Sequence, residues 1–214
     1  MPARKRPTSA SRSRAPVDAD RIVDAALDLA AVHGWAALSL AEIAAAAGIS
    51  LAELHGRFRS KGAILAAFVD RIDARVLAGT DPGTSGEPVR DRLMDAVLRR
   101  LDALRPYKPA LRAMAGRAPD PEAALCGAAR LMRSMAWTLE AAGVSSAGAG
   151  GCLRVHGLAA IYASTVRVWL DDDSEDGGRT MAHLDRRLQQ AERLLGRLPR
   201  RFRSRAAPPA AATA

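Results

Sequence analysis

One stretch of the chain constrains its fold more than any other. It runs from Ser39 to Lys61 and has the sequence SLAEIAAAAGISLAELHGRFRSK. Ser39 and Ser50 each stand three residues before a glutamate, which is the spacing of a capping box at a helix start. Gly48 lies between them and suits the left-handed conformation that ends a helix before a turn. The pattern predicts a helix-turn-helix, whose second helix can enter a DNA major groove.

Apolar residues around this stretch have the spacing of a small three-helix domain. A preceding helix is predicted by five residues that recur every three or four positions, namely Ile22, Ala25, Ala26, Leu29 and Val32. In the third helix, Leu51, Leu54 and Phe58 can continue the same core. We expect this domain over residues 18–65, after a disordered basic arm at residues 1–17.

The remaining chain has the composition and periodicity of a larger helical domain. Hydrophobic residues make up 49% of the sequence but aromatic residues only 4%, so Ala, Leu, Val, Ile and Met must build most of the core. This mixture favours helices, because Ala, Leu and Met have the best helix propensities and runs of β-branched residues are scarce. We predict an all-α protein of about nine helices, with a ligand-binding and dimerisation domain over 66–199 and a disordered basic tail over 200–214. The glycine-rich residues 145–151 are predicted to separate two of its helices.

Basic residues are concentrated at the two ends of the chain. The formal net charge is +9, from 32 basic and 23 acidic residues. Residues 1–17 hold five basic residues and residues 196–214 hold another five, and neither segment contains an acid, so 22 basic and 23 acidic residues remain between them. The arm can follow a DNA groove or backbone, or it can serve only as a solubilising tail.

The order of these motifs resembles the TetR family of bacterial transcriptional regulators. The resemblance rests on a first helix that ends in Gly34-Trp35, followed by LSLAEIAAAAGIS and then by LHGRFRSKGAIL. It implies that the first three helices bind DNA and that a fourth connects them to the larger domain. It also implies a ligand-responsive repressor that binds a palindromic double-stranded operator as a homodimer.

The motif and the resemblance together give nine candidate DNA contacts, namely Ser39, Ser50, Leu51, Ala52, His55, Arg57, Arg59, Ser60 and Lys61. Arg57, Arg59 and Lys61 are expected to contact phosphates near the start of the fourth helix, or else to form a solvated basic face. The serines cap helices and can also touch phosphate. The family commonly carries tyrosine where His55 stands, and His55 either contacts DNA or is an ordinary surface residue.

Two further surfaces are expected in the larger domain. Seven residues are candidates to line a pocket for a small apolar effector, or else to pack the core, and these are Leu98, Leu101, Met114, Met132, Met135, Trp137 and Tyr162. The last two long helices, 152–170 and 178–198, are predicted to form the dimer surface. As a pair they can build a four-helix bundle with those of a second copy.

A second resemblance lies near the C-terminus. Residues 168–188, VWLDDDSEDGGRTMAHLDRRL, are similar to the C-terminal signature of the ubiquinone-biosynthesis lipid-binding proteins that share the TetR fold. Those proteins bind isoprenoid lipid in a hydrophobic pocket and have lost the DNA-reading function. The alternative hypothesis is therefore a lipid-binding accessory protein with a vestigial DNA-binding domain.

The sequence lacks the patterns of an enzyme, a metalloprotein or a membrane protein. It has no glycine-rich phosphate loop, and two cysteines are too few for a disulfide scaffold or a four-ligand zinc site. The acidic segment 171–176 lacks the glycine turn and terminal glutamate of a calcium loop and is predicted to be a solvated turn. No run approaches the roughly 18 apolar residues of a membrane span. We expect a cytoplasmic, non-enzymatic protein without a cofactor or metal.

Overall fold

The structure, a computed structural model, describes residues 19–80, 86–116, 121–174 and 176–196. These residues form nine α-helices, and the prediction of an all-α protein is confirmed. The helices are α1 (Ala19–His33), α2 (Leu40–Ala46), α3 (Leu51–Arg57), α4 (Lys61–Ala78), α5 (Val89–Leu104), α6 (Lys108–Ala115), α7 (Pro121–Ala141), α8 (Gly148–Leu170) and α9 (Gly178–Gly196).

Helix α2 packs against both α1 and α3, and these three helices are called the small domain below. Ile22 of α1, Ile43 of α2 and Leu54 of α3 are each at most 1% exposed and belong to one buried cluster. Their burial follows from helical periodicity, which places apolar residues three or four positions apart on the same face. Trp35, in a short 3-10 turn between α1 and α2, adds a large apolar side chain to this core.

Two residues assigned to that core from their spacing lie outside it. Val32 is 76% exposed because the buried face of α1 runs through Val23, Leu27 and Ala30 instead. Leu51 is 54% exposed because it is the first residue of α3, a helix of two turns whose only buried residue is Leu54. Both core assignments were wrong.

Helix α4 connects the small domain to the rest of the molecule. It runs without interruption across the predicted boundary between residues 65 and 66, and it contacts α1 as well as α5 and α7. Arg71 of α4, whose side chain is 11% exposed, pairs with Asp24 of α1 at 2.7 Å and with Asp20 at 3.3 Å. Any tilt of α4 must therefore either carry α1 with it or break these ion pairs.

Helix α6 bridges α1 and the C-terminal end of α8. It packs against both helices, and two of its basic side chains bind backbone carbonyls at the end of α8. The Nε atom of Arg112 donates to the carbonyl oxygen of Leu170 at 2.9 Å, and the ammonium of Lys108 donates to that of Asp172 at 2.6 Å. Cations near the last carbonyls of a helix also interact favourably with its dipole.

The two longest helices of the larger domain are α7 and α8, and α8 begins earlier than its sequence indicates. Gly148 starts the helix, so the segment 145–151 is only partly a break between helices. Gly151 lies in the first turn of α8, where a β-carbon would come within 2.0 Å of the carbonyl oxygen of Ser146. Only glycine permits this close approach, which is the reason for a helix start inside a glycine-rich run.

The described residues of the acidic segment 171–176 are exposed, as predicted for a solvated turn, with the exception of Asp172. Asp172 is 5% exposed, and its carboxylate accepts hydrogen bonds from the backbone amide of Thr180 at 2.9 Å and from its hydroxyl at 2.7 Å. The hydroxyl of Ser174 donates to the same carboxylate at 2.5 Å. Hydrogen bonds from Ser174 and Thr180 hold the pKa of Asp172 far below its ordinary value. Asp172 thereby ties the end of α8 to the first turn of α9.

Candidate nucleic-acid interface

Both helices of the helix-turn-helix begin at a complete capping box. The Ser39 hydroxyl accepts from the Glu42 amide at 3.2 Å, and the Glu42 carboxylate accepts from the Ser39 amide at 2.8 Å. Ser50 and Glu53 repeat this arrangement at 3.2 and 2.7 Å. Hydrogen bonds from Ser39 also lower the pKa of Glu42. Each serine hydroxyl donates to its glutamate as well, so both serines are committed to holding their helices.

The turn between α2 and α3 is a Schellman motif. The Ile49 amide donates to the Ala44 carbonyl and the Gly48 amide to the Ala45 carbonyl, each at 3.0 Å. Gly48 has a φ of +64°, the left-handed conformation predicted for it. The guanidinium of Arg21 in α1 donates to the carbonyl of Ala47, which fixes the end of α2 against the first helix.

Helix α3 turns most of its side chains to the outside. Leu54 is buried in the core of the small domain, whereas Leu51, Ala52, His55 and Arg57 are exposed. Gly56 is exposed as well, and a β-carbon at this position would meet nothing within 4 Å. The exposed side of α3 thus carries one imidazole, that of His55, and one guanidinium, that of Arg57, at its end.

The basic residues at and just after the end of α3 divide into two groups. Arg57 and Arg59 are exposed and make no ion pair or hydrogen bond with other described residues. Lys61 behaves differently, since its ammonium donates to the carbonyl of Leu38 at 2.8 Å and lies 3.3 Å from that of Trp35. The hydroxyl of Ser60 accepts from the Ala63 amide at 3.1 Å and caps α4. The structure therefore gives Ser60 and Lys61 roles in holding the domain together.

A buried polar cluster joins four helices of the larger domain. Arg100 of α5 is 4% exposed and donates to the Tyr162 hydroxyl of α8 at 3.2 Å. It also forms an ion pair with Asp73 of α4, which accepts a further hydrogen bond from Ser134 of α7. Burial alone would lower the pKa of Arg100, but Tyr162 and Asp73 raise it overall, so the guanidinium stays charged. Burial raises the pKa of Tyr162, which stays neutral.

The candidate effector residues do not all lie together. Leu101, Met135 and Tyr162 are buried in the main core, and Leu98, Met114 and Met132 are half-buried against it. Trp137 is 56% exposed on the outside of α7, so it cannot line an interior pocket.

Sequence reasoning missed the charged members of the buried cluster. Arg100 lies on the same helical face as Val97, Leu101 and Leu104, where periodicity calls for an apolar residue. The sequence did contain a sign of this ion pair, because a charged residue, Arg100, stands on the apolar face of a predicted helix. Its partner Asp73, 27 positions away in sequence, could not be assigned without the fold.

An open groove lies where α6 meets α1 and the segment after α8. It encloses about 410 Å³ and is lined by Ala31, Lys108, Pro109, Arg112, Ala113 and Asp173. The pKa of Asp173 is lowered by Arg112, which binds it at 2.7 Å, and by Lys108.

Within the described ranges, no three His, Cys, Asp or Glu residues are grouped so that they could hold a metal ion. None of the helices described is long and apolar enough to cross a membrane.

Two capped helices, a tight turn and a connecting helix that leads to a second domain define a helix-turn-helix DNA-binding protein with a helical companion domain. The family model described as "Bacterial regulatory proteins, tetR family" matches residues 22–68, which span α1 to the first part of α4. The TetR transcriptional regulator from Nitrosomonas europaea ATCC 19718 is 30% identical with a TM-score of 0.66, over 81% of this chain and 97% of that one. The chain belongs to the TetR family of bacterial transcriptional regulators.

More distant structures share the fold. A TetR transcriptional regulator from Rhodococcus sp. RHA1 is 21% identical, with a TM-score of 0.54, over 84% of this chain and 96% of that one. A putative TetR-family regulator from Rhodococcus sp. is 22% identical, with a TM-score of 0.52, over 81% and 96%. The family model described as COQ9 matches residues 154–195, which lie in α8 and α9. The comparison with curated proteins found no match. The solved relatives described above are transcriptional regulators.

Proposed function

We propose that this protein is a ligand-responsive transcriptional repressor that binds a palindromic DNA operator as a homodimer. The observation that carries the proposal is the outer face of α3, which two capping boxes and the Gly48 turn hold rigidly and leave exposed. A second helix presented in this way can lie in the major groove, where base edges are accessible. The proposed domains are residues 18–65 and 66–199, with α4 crossing between them, while the arm at 1–17 and the tail at 200–214 lie outside the described residues.

The proposed DNA contacts are of two kinds: contacts with bases, which read the sequence, and contacts with phosphates, which fix the position of the protein on the duplex. Leu51, Ala52 and His55 lie on the outer face of α3 and are proposed to meet base edges. Arg57 and Arg59 are proposed to bind phosphates, because both side chains are exposed and point charges of this kind supply most of the non-specific affinity. Ser39, Ser50, Ser60 and Lys61 remain in the proposed interface, though their contacts above favour a supporting role.

The proposed dimer surface lies on α8 and α9. Leu153 of α8 is 47% exposed, and Met181 and Leu194 of α9 are 37% and 62% exposed. The Ser164 hydroxyl and the His183 imidazole lie 3.1 Å apart and tie the two helices together, so they can act as one surface. Pairing two such surfaces would bury these apolar side chains and place two copies of α3 on one operator, with half-sites about one helical turn or a multiple apart.

The proposed effector acts on the larger domain through α4. The cluster of Asp73, Arg100 and Tyr162 links α4 to α5 and α8, and Arg71 links α4 to α1. A small apolar molecule that enters between α5, α7 and α8 would separate these helices and tilt α4. It must bind the tilted state more tightly than the DNA-competent state, since a ligand with equal affinity for both shifts nothing.

The test is selection of genomic fragments bound by the purified protein, followed by affinity measurements on the selected duplexes. We expect sequence-selective binding that weakens steeply as salt concentration rises. A double variant, Arg57→Ala with Arg59→Ala, is expected to weaken DNA binding at least tenfold, because two charge-assisted contacts with phosphate are lost. The unfolding midpoint should not change. Its control, Arg105→Ala with Arg133→Ala, removes the same charge from exposed positions outside the proposed DNA and dimer surfaces and should leave affinity nearly unchanged.

A lipid-binding accessory protein is the alternative, and the match of the COQ9 model to α8 and α9 favours it. In that case the purified protein would bind random and genomic duplexes equally and would carry an isoprenoid lipid. Lipid extraction and mass spectrometry of the protein used for DNA selection compare the two functions on one sample.

A further inference from the structure

The outer face of α3 has an unusual chemical character for a surface expected to contact DNA. Leu51, Ala52, His55 and Gly56 occupy positions i, i+1, i+4 and i+5, which form one continuous strip along a helix. Three of these four residues carry no polar side-chain group. The single imidazole of His55 is the only hydrogen-bonding side chain on the strip.

Leu51 is the most prominent apolar group of this strip. It is 54% exposed, although its neighbours Ile49 and Leu54 are 8% and 1% exposed in the same short segment. The fold therefore gains little from a leucine at this position. The side chain stands in the first turn of α3, the part of a recognition helix that reaches base edges in helix-turn-helix complexes.

The polar groups of that first turn are already engaged. The Ser50 hydroxyl donates to the Glu53 carboxylate at 2.7 Å, and that carboxylate also accepts from the Ser50 amide at 2.7 Å. A base edge facing this turn thus meets leucine and alanine side chains in place of a hydrogen-bonding group. In the major groove, the apolar group available for such a contact is the C5-methyl of thymine.

We propose that Leu51, supported by Ala52, is a specificity-determining residue that recognises the C5-methyl group of a thymine in each operator half-site. This inference rests on the proposed DNA-binding function and adds the chemistry of the base that the first turn of α3 selects. A base that presents a polar edge at that position offers Leu51 no apolar partner. The hydrogen-bonding groups of that base would also lose water without gaining a partner, which weakens binding.

The test replaces each thymine of a selected operator, one at a time, by uracil, which lacks the methyl group and keeps every hydrogen-bonding atom. For the native protein we expect one position per half-site at which this change weakens binding about fourfold, the effect of losing one buried methylene-sized group, and about 15-fold when both half-sites are changed. With Leu51→Ala, binding weakens and the uracil operator is bound as well as the thymine operator.

Val32→Ala is the matched control, because Val32 is an exposed apolar residue of the same small domain. It should retain the native preference for thymine. Sequence-selective binding without a uracil effect at any position would overturn this inference and leave the proposed function standing. A thymine preference that survives in Leu51→Ala would also overturn it, whereas a total lack of sequence-selective binding would overturn the proposed function itself. The uracil scan of the native protein does not depend on how any variant folds.

Discussion

The ammonium nitrogen of Lys61 lies 2.8 Å from the carbonyl oxygen of Leu38, at the start of a helix where a cation is electrostatically unfavourable. The unfavourable interaction with the helix dipole is worth about 0.3–1 kcal/mol. Hydrogen bonds from a charged donor contribute about 1.5–3 kcal/mol, so the contacts with Leu38 and Trp35 outweigh it. Lys61 holds the chain between α1 and α2 against the start of α4.

Replacing Lys61 should therefore destabilise the protein. We expect Lys61→Met to lower the free energy of unfolding by about 1–2 kcal/mol, measured by urea titration, because three carbonyl groups near it lose their donor. Arg59→Met removes an exposed basic residue two positions away and should change the unfolding free energy by less than about 0.5 kcal/mol. Equal effects of the two substitutions would show that Lys61 acts only through its charge.

Two glycines of the helix-turn-helix should respond to alanine in opposite directions. Gly56 has open space around it, so Gly56→Ala is expected to raise the free energy of unfolding by about 0.5–1 kcal/mol. Gly48 has a φ of +64°, so Gly48→Ala is expected to lower it by about 1–2 kcal/mol. Thermal and urea unfolding report both changes, and a destabilised Gly56→Ala protein would contradict the open surroundings of Gly56.

The buried ion pair predicts a strong coupling between α4 and α5. Arg100→Met leaves the carboxylate of Asp73, whose side chain is 16% exposed, without its cation and should cost at most about 3–5 kcal/mol of stability. The double variant Arg100→Met with Asp73→Leu removes both charges and should recover most of the loss. The unfolding free energies of the native protein, of Arg100→Met, of Asp73→Leu and of the double variant form a double-mutant cycle, and purely additive losses would contradict the coupling.

Acid should weaken the link before α9. The pKa of Asp172 is lowered by folding, so its contribution is complete above its unfolded-state pKa of about 3.9 and is lost as the pH falls from there towards the folded-state value. The difference in unfolding free energy between the native protein and Asp172→Asn should be constant near neutral pH and shrink below about pH 4. Asp171→Asn, at an exposed neighbouring position, is the control and should change the unfolding free energy near neutral pH by less than about 0.5 kcal/mol.

The dimer surface can be tested by placing charges on it. Leu153→Glu and Leu194→Glu should each raise the dimer dissociation constant by on the order of tenfold or more, because an unpaired carboxylate would be buried on association. Sedimentation equilibrium measures this constant. Trp137→Glu changes an exposed apolar residue of α7 outside the proposed surface and should leave the dimer intact.

The sequence predicted the features that depend on neighbouring residues. The capping boxes join residues three positions apart, and the Gly48 turn is determined within six residues, so both are visible in the sequence. The sequence predicted a phosphate contact for Lys61. The carbonyls that its ammonium binds are 23 to 26 positions away, so these contacts could not be seen in the sequence.

The periodicity of apolar residues also did not determine which individual side chains face the core. Leu51 has the spacing of a core residue, yet α3 is too short to bury it, and Trp137 has the composition of a pocket residue but lies on the outside of α7. Whether such a residue faces inward depends on which helices pack against it. That information lies in the tertiary fold, which also brings Arg100 and Asp73 together.

Helix α3 keeps apart the residues that maintain its shape and those that face outward. Ser50, Glu53 and Leu54 anchor the helix, whereas Leu51, Ala52, His55 and Gly56 contribute little to the core. Mutations at these four outward-facing residues can accumulate without unfolding the protein. A duplicated gene could therefore acquire a new target site through a few substitutions that leave the stability of the fold unchanged. The same separation makes these four codons a natural library for directed evolution of altered operators.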